Sequence, residues 1–357
     1  MPRRTIWGIL RMASHGSGHG IGAGETVGVG APHDLLLDEI FVDLFPALGR
    51  TLSLKCEGFN FAGSVKAKAA AGMVRAAEDA GRLRPGSTII ESSSGSLGIA
   101  LAMIAAHSGY RFVCVTDLRC NERNIQLMRS LGAEVVIISE PDENGGFLGS
   151  RIRYVKEACA ADPALLWLNQ YANEDNWRAH YRTTAPSIVR NFPDLEFLFI
   201  GAGTTGTLTG CGRFLKEIGH PARVVAVDAV GSITFNRPSG RRLIPGLGSS
   251  HRPDIVDEGV IDEIVMVEEA DTIRMCRYLA GRGFLFGGST GTVVSGAYDR
   301  LRGERPEVRA VAISPDFGER YLDTVYSDSW VLEHFGDIGR FDPLQEPVSA
   351  TVELARG

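Results

Sequence analysis

The 357-residue sequence has no long apolar run, and its longest, Ile99–Ala106, is only eight residues. A membrane-spanning helix needs about 20 apolar residues. The N-terminal stretch Ile6–Leu10 is also too short for a secretory signal peptide, and Arg11 interrupts it. We therefore expect a cytoplasmic protein that has no membrane partner.

Paired cysteines and long basic runs are missing as well. The six cysteines are scattered and none forms a C-x-x-C pair, which argues against a zinc ribbon or a disulfide scaffold. The net charge is −6, whereas a nucleic-acid-binding surface is usually strongly basic. We expect buried thiols, no metal site and no nucleic-acid partner. The 44% hydrophobic and 22% charged residues are ordinary globular values, which exclude fibrous and disordered classes.

Short apolar runs alternate with helical patterns from residue 55 onward. Seven runs have the length of strands: Thr88–Ile90, Phe112–Val115, Val135–Ile138, Leu165–Leu168, Phe197–Ile200, Val224–Val227 and Ala310–Ile313. Continuous apolar strands separated by amphipathic helices are typical of parallel sheets that are covered on both faces. The sequence therefore predicts an α/β protein with two doubly wound lobes.

The same pattern predicts the domain bounds. Residues 1–30 are rich in Gly, Ser and His and indicate a flexible N-terminal extension, while residues 336–357 indicate a polar C-terminal tail. Between these ends we expect a smaller lobe over residues 55–170 and a larger lobe built from residues 31–54 and 171–335.

A glycine-rich loop, Gly201–Gly206, matches G-x-G-x-x-G, follows a predicted strand and opens a helix. Asp228 ends the next predicted strand, where a dinucleotide-binding fold carries its ribose-binding acid. Backbone N–H groups at a helix N-terminus suit any phosphate, however. The loop alone thus predicts a phosphate site and leaves a nicotinamide dinucleotide open, with a plain tight turn as the structural alternative.

A second loop, Gly63–Lys66, places small residues before a lysine that opens an Ala-rich helix predicted over Ala67–Ala80. The positive end of a helix dipole disfavours an ammonium group, so the pattern favours a neutral, nucleophilic amine of the kind that forms Schiff bases. A solvated lysine is equally compatible with this loop alone.

Four motifs in this order resemble the pyridoxal-phosphate (PLP) enzymes of fold type II in the cysteine synthase family. They are a lysine loop with Asn60 and Gly63–Lys66, a substrate loop Glu91–Gly98, a phosphate loop Gly203–Thr207 and a late loop Gly287–Gly291. The resemblance runs from about residue 50 to 335 and disfavours the dinucleotide interpretation. It implies a homodimer with PLP in the cleft between the lobes, the smaller carrying the substrate loop and the larger the phosphate loop.

The resemblance also implies roles for the cofactor-binding residues, namely Lys66, Ser96, Gly203, Thr204, Thr205, Gly206, Thr207 and Ser289. Lys66 is implied as the catalytic lysine that holds PLP as an internal aldimine and then takes the substrate α-proton. Ser289 would face the pyridine nitrogen, and a neutral hydroxyl there favours β-elimination over a long-lived carbanion. Ser96 replaces the family's Asn at the cofactor 3′-oxygen, which predicts reduced or retuned activity.

The implied substrate-binding residues are Ser92, Ser93, Ser94, Gly95, Gln170, Arg151, Tyr171 and Arg252. The serine loop and Gln170 suit an α-carboxylate, Arg252 a leaving phosphate, and Arg151 and Tyr171 a second substrate such as glutamate. From the residues alone, the serines also suit an ordinary N-cap, and both arginines also suit the surface.

Three segments narrow the resemblance to one subfamily: Asn144–Ile152, Asn169–Asn173 and Asp316–Asp328. They resemble N-(2-amino-2-carboxyethyl)-L-glutamate synthases, which join O-phospho-L-serine to L-glutamate through a bound aminoacrylate, on the way to L-2,3-diaminopropionate for siderophores or antibiotics. Two alternatives stay open. One is a cysteine synthase that uses O-phosphoserine or O-acetylserine with sulfide, and the other, motivated by Ser96, is a regulatory PLP-binding pseudo-enzyme.

Overall fold

Two sheets organise the protein in the computed structural model, which describes residues 29–142, 146–343 and 351–354. The larger sheet contains β1 (Phe41–Asp43), β2 (Leu52–Cys56), β7 (Phe197–Gly201), β8 (Arg223–Ala229), β9 (Glu263–Val267), β10 (Ala310–Ser314) and β11 (Thr351–Leu354). Its strand order is β1-β2-β10-β7-β8-β9-β11. The smaller sheet has the order β5-β4-β3-β6 and contains β3 (Thr88–Ser92), β4 (Arg111–Asp117), β5 (Glu134–Ile138) and β6 (Leu165–Trp167).

Helices connect these strands and cover the sheets. They are α1 (Phe45–Leu48), α2 (Lys66–Asp79), α3 (Ser96–Ser108), α4 (Glu122–Ser130), α5 (Leu148–Ala161), α6 (Glu174–Arg182), α7 (Thr184–Asn191), α8 (Gly206–Glu217), α9 (Glu269–Ala280), α10 (Gly288–Leu301) and α11 (Asp328–Phe335). No helix in the described ranges is long and apolar enough to cross a bilayer.

Burial on both faces explains why central strands such as β7 are mostly apolar. In β7, Phe197 and Phe199 belong to one core cluster, whereas Leu198 and Ile200 belong to another. Successive side chains of a strand point to opposite faces, so each face of the larger sheet packs against its own layer. This arrangement confirms the predicted α/β fold with two sheets of parallel type.

The two edges of the larger sheet differ from the expected pattern. β1 pairs with β2, and β11 with β9, and both pairs are antiparallel. Thr351–Leu354 therefore forms a strand where we expected only a polar tail, because it satisfies the open backbone groups along the edge of β9. Most of the predicted N-terminal extension, residues 1–28, lies outside the described residues.

Candidate active site

A cleft of about 720 Å³ lies where loops from both sheets converge. Ligands of open α/β sheets bind at the carboxyl ends of the strands, and the loops after β3, β7 and β10 all reach this cleft. Most of the residues singled out from the sequence line it: Lys66, Ser93, Ser94, Gly95, Ser96, Arg151, Gln170, Tyr171, Gly203, Thr204, Thr205, Gly206, Thr207 and Ser289.

Lys66 is the first residue of α2, and the loop before it is held in place by side-chain contacts. The Asn60 amide donates to the Glu57 and Ser64 carbonyl oxygens at 2.8 and 2.9 Å. Gly63 adopts φ 63°, which favours glycine, and a Cβ there would lie 2.9 Å from Nη2 of Arg320. Lys66 Nζ donates to Thr204 Oγ1 at 3.4 Å, so the loop aims the amine across the cleft at the loop after β7.

The charge state of Lys66 is unusual. Burial lowers the pKa of its amine from 10.5 to about 8. A lysine with this pKa has a substantial neutral fraction near neutral pH, and the neutral amine is the nucleophilic and basic form.

The loop between β7 and α8 has the features of a phosphate cradle. Thr205, the N-cap of α8, adopts φ 65° and makes no side-chain cap hydrogen bond. Its Oγ1 is buried and has no hydrogen-bond partner among the described residues. A Cβ at Gly206 would lie 2.1 Å from Asn176 Oδ1, so only glycine fits between this loop and α6. The loop therefore offers a helix N-terminus and a free hydroxyl to an anion.

The loop after β3 is braced by a buried carboxyl group. Glu91 accepts from Trp167 Nε1 at 3.0 Å and from the Gln170 backbone N–H at 3.3 Å, and burial raises its pKa to about 7. The Gln170 side chain donates to the Ser92 carbonyl oxygen at 2.9 Å. Ser93 Oγ accepts from the Gly98 N–H at 2.9 Å and so supports the start of α3. Ser94 and Gly95 are left to face the cleft between these two anchors.

The serine at the start of α10 lies near a buried acid and a tyrosine. Ser289 is buried beside Tyr321, whose hydroxyl donates to Asp316 Oδ2 at 2.8 Å. Burial raises the pKa of Asp316 to about 6. All three side chains line the cleft.

Arginines dominate the charge of one part of the lining. Arg151 Nε lies 3.2 Å from Asp117 Oδ2, yet its buried Nη1 has no hydrogen-bond partner among the described residues. Burial raises the pKa of Tyr171, and the positive charges of Arg151 and Arg242 act against this rise, so Tyr171 lies near each arginine. An unpaired guanidinium donor in a cleft suits a carboxylate ligand.

Two of the predicted substrate residues do not line the cleft, as far as the described residues show. Arg252 instead pairs with Glu258 at 2.6 Å and donates to the Thr234 carbonyl oxygen at 2.8 Å. Ser92 is buried at the end of β3, and its hydroxyl has no partner in the described ranges. Asp228, the candidate ribose-binding acid, is fully buried and accepts from the Ala229 N–H at 2.8 Å, so it faces its own loop.

Sequence reasoning missed several residues that shape the cleft. Asn176 donates to Thr204 Oγ1 at 3.1 Å and to the Gln170 carbonyl oxygen at 2.7 Å, which joins the loops after β7 and β6. Arg320 donates to Ser96 Oγ at 3.2 Å and to the Ala62 carbonyl oxygen at 2.6 Å. The sequence did contain a signal for Arg320, because this residue lies within the segment Asp316–Asp328 that resembles one subfamily. Nothing in the sequence pointed to Asn176.

The comparison with known protein families decides the identification. The family model described as pyridoxal-phosphate dependent enzyme matches residues 42–316. The chain belongs to the pyridoxal-phosphate dependent enzyme family. A curated relative, N-(2-amino-2-carboxyethyl)-L-glutamate synthase of Ralstonia nicotianae, is 41% identical over 281 residues, which cover 78% of this chain and 82% of that protein.

Solved structures give the same result for this PLP-dependent enzyme. O-ureido-L-serine synthase matches with a TM-score of 0.77 and 32% identity over 85% of this chain and 99% of its own. A hydrogen sulfide-producing enzyme from Fusobacterium nucleatum matches with a TM-score of 0.77 and 29% identity over 82% of this chain and 100% of its own. The protein is therefore a β-replacement enzyme of fold type II, and PLP is its cofactor.

The residues present fit PLP. The cleft combines a lysine of lowered pKa with a loop whose buried Thr205 hydroxyl is unpartnered among the described residues. Gly203 lies close to a second loop, since a Cβ there would be 3.0 Å from the Gly246 carbonyl oxygen. Ser289, at the start of α10, supplies a neutral hydroxyl to the same cleft. The donors thus suit an aldehyde, a phosphate and a ring nitrogen.

Proposed function

We propose that the protein joins O-phospho-L-serine to L-glutamate and produces N-(2-amino-2-carboxyethyl)-L-glutamate and phosphate. The observation that carries the proposal is Arg151, which is only 7% exposed, lines the cleft and keeps Nη1 without a partner among the described residues. A carboxylate-bearing second substrate satisfies this donor, whereas sulfide does not. The 41% identity to the Ralstonia synthase supports the same reaction.

PLP supplies the electron withdrawal that acidifies the substrate Cα–H. Lys66 Nζ would hold the cofactor and then accept the Cα proton. The loop Gly203–Thr207 would bind the cofactor phosphate, and Ser289 would hydrogen bond with the ring nitrogen. Ser96, whose Oγ accepts from Arg320, keeps its own hydrogen to donate to the cofactor 3′-oxygen.

The substrate bonds change in two half-reactions. The Cβ–O bond of phosphoserine breaks, and phosphate leaves with the bonding electron pair. The nitrogen lone pair of glutamate then forms the Cβ–N bond, glutamate loses an amine proton, and a proton returns to Cα from Lys66 Nζ. Ser94 and Gly95, with Gln170, would bind the phosphoserine α-carboxylate, while Arg151 and Tyr171 would bind glutamate.

Arg151→Ala tests the acceptor side alone. We expect phosphate release from O-phosphoserine without glutamate to be retained in a single turnover. The condensation product, followed by mass spectrometry, should need far more glutamate, because losing a charged hydrogen bond costs about 2–4 kcal/mol of acceptor binding. Arg153→Ala, an exposed arginine on the same helix, is the matched control and should behave like the wild type.

Other outcomes would reassign Arg151. Loss of phosphate release would place it on the donor side or in folding. Unchanged condensation would remove it from the site. If sulfide in place of glutamate then gave cysteine efficiently, the cysteine synthase alternative would replace the proposal; the likeness to the Fusobacterium hydrogen sulfide-producing enzyme is the observation that favours it.

We also propose a cellular location, an oligomeric state and a pathway role for the protein. The subfamily resemblance supports a cytoplasmic homodimer whose product is a precursor of L-2,3-diaminopropionate for a siderophore or an antibiotic. It also supports a smaller lobe over residues 55–170 that carries the substrate loop. Analytical ultracentrifugation of the PLP-loaded protein tests the dimer, because a monomer mass near 38.5 kDa would contradict it.

A further inference from the structure

A buried chain of hydrogen bonds leads from the phosphate loop into the protein interior. Thr207 Oγ1 lies 3.3 Å from His180 Nε2, and His180 Nδ1 lies 3.0 Å from Thr184 Oγ1. Lys68 Nζ donates to Thr184 Oγ1 at 3.0 Å. The chain thus links a residue of the cleft to an ammonium group on α2.

His180 is neutral in this setting and carries one ring proton. The side chain is 1% exposed, and both burial and the nearby positive charges of Lys68, Lys66 and Lys55 lower its pKa well below 6.5. A neutral imidazole donates from one nitrogen and accepts at the other, so the neighbours decide which nitrogen carries the proton.

The inner partners are compatible with both directions of the chain. An ammonium group only donates, so Thr184 Oγ1 accepts from Lys68. The single Thr184 hydrogen can go to His180 Nδ1 at 3.0 Å or to Glu57 Oε1 at 3.3 Å. In the first case His180 Nδ1 accepts from Thr184, and in the second Thr184 Oγ1 accepts from His180 Nδ1–H. A ring that accepts at Nδ1 carries its proton on Nε2.

We propose that His180 is a positioning residue for the phosphate loop: it donates from Nε2 to Thr207 Oγ1, which leaves the Thr207 hydrogen free to donate to a phosphate monoester in the cleft. A phosphate dianion needs donors, and this requirement selects the direction. The reverse direction would use the Thr207 hydrogen on His180 and present only oxygen lone pairs to the dianion. The inference rests on the proposed role of loop Gly203–Thr207 in binding the PLP phosphate and adds the residues that orient it.

Nitrogen NMR of the PLP-loaded protein, labelled at histidine, tests the direction without any measure of activity. We expect the His180 ring to show its one-bond N–H coupling at Nε2, with Nδ1 unprotonated. His180→Gln, whose resonance is absent, identifies the signal among the 8 histidines. A ring protonated at Nδ1 in the PLP-loaded protein would overturn the proposal.

Binding of PLP and of pyridoxal, which lacks the phosphate, tests the consequence. Because a lost hydrogen bond to a charged group costs about ten- to hundredfold in affinity, His180→Leu should weaken PLP binding by that factor and leave pyridoxal binding unchanged. His180→Gln, which keeps a donor towards Thr207, should recover most of the loss. Equal weakening of both ligands would mean a structural role only and would contradict the proposal.

Two further variants separate this inference from the proposed phosphate loop. Thr184→Val should lose the selectivity for PLP over pyridoxal, and Thr184→Ser should keep this selectivity. The two Thr184 variants therefore test the chain even if His180→Leu does not fold. If Thr207→Val binds PLP as tightly as the wild type, the proposed role of Thr207 is wrong. If Thr207→Val loses the selectivity but Thr184→Val keeps it, only the inferred chain is wrong.

Discussion

Lys66 and Lys68 lie two residues apart at the start of α2, yet the pKa values of their amines shift in opposite directions. Lys66 Nζ has a hydroxyl neighbour, Thr204 Oγ1 at 3.4 Å, and burial lowers its pKa to about 8. Burial also acts to lower the pKa of Lys68, but Glu57 and Asp38 outweigh it and the pKa is raised.

The difference shows that burial alone does not decide the charge of an amine. Helical positions two apart point to different sides of the helix, so one lysine reaches the cleft and the other reaches the interior. Lys68 Nζ lies 2.8 Å from both carboxylate oxygens of Glu57 and also pairs with Asp38. Without an acid partner an amine becomes a base and nucleophile; with two acids it becomes a fixed cation.

Removing the Lys66 amine should have the largest effect, because it should abolish both covalent PLP binding and activity. Lys66→Ala should abolish covalently bound PLP, so the purified protein loses its yellow colour, and activity should fall by at least about 10³-fold because both holding group and base are lost. Absorption spectra and phosphate release measure this. Borohydride reduction followed by peptide mass spectrometry should place the wild-type label on Lys66.

Lys156→Ala, an exposed lysine on α5, is the control and should remain yellow. A borohydride label on Lys68 instead would reverse the assignment of the two lysines.

Removing the Lys68 charge should affect stability. Lys68→Met leaves Glu57 buried without its closest partner, and breaking a buried ion pair costs about 3–5 kcal/mol of unfolding free energy. Urea denaturation of the PLP-loaded protein measures the loss. The double variant Lys68→Met with Glu57→Gln should regain part of it, since the orphaned charge is gone. A loss below about 1 kcal/mol would show that water reaches Glu57 and that the pair is not a buried one.

The pH dependence of PLP capture should show how far the pKa of Lys66 differs from that of an ordinary lysine. Only a neutral amine attacks an aldehyde, and a pKa lowered to about 8 makes Lys66 neutral at lower pH than an ordinary lysine. The rate at which apoprotein captures PLP should rise about tenfold per pH unit below pH 8 and level off above it, whereas N-acetyl-lysine should keep rising towards about pH 10. Stopped-flow absorbance measures both. A protein rate that rises in parallel with that of the model amine would mean that the Lys66 pKa is not lowered.

Much of the fold was predictable because buried strands and amphipathic helices leave local patterns. Six of the seven predicted apolar runs lie within strands, such as Phe197–Ile200 in β7, and the seventh, Leu165–Leu168, runs one residue past β6. β9 was missed although all of its residues are buried and its apolar run, Ile264–Val267, is as long as Val224–Val227. The residue Glu263 is accommodated by an ion pair with Arg300, which no local pattern reveals.

The candidate site was predictable where chemistry requires a residue type at a fixed spacing from a strand end. The lysine loop, the serine loop and the phosphate loop meet these conditions and converge in the cleft. Arg252 shows the limit of such reasoning, because an arginine near a glycine-rich loop can turn away, and this one pairs with Glu258. Asn176 shows the converse: it contributes to the site although no sequence pattern indicated it, because its partner Thr204 lies 28 residues further along the chain.

The sequence by itself determined the fold class, the cofactor family and the order of the motifs, because each depends on local patterns and short spacings. The lysine loop singled out Lys66 as the neutral amine, but no sequence pattern predicted that the pKa of Lys68 is raised. Asp38, Glu57 and Thr184 reach Lys68 from distant parts of the chain, and these contacts exist only after the elements pack. Charge state follows burial and partners, which are properties of the packed chain, and so the tertiary structure alone decided that Lys68 is a fixed cation.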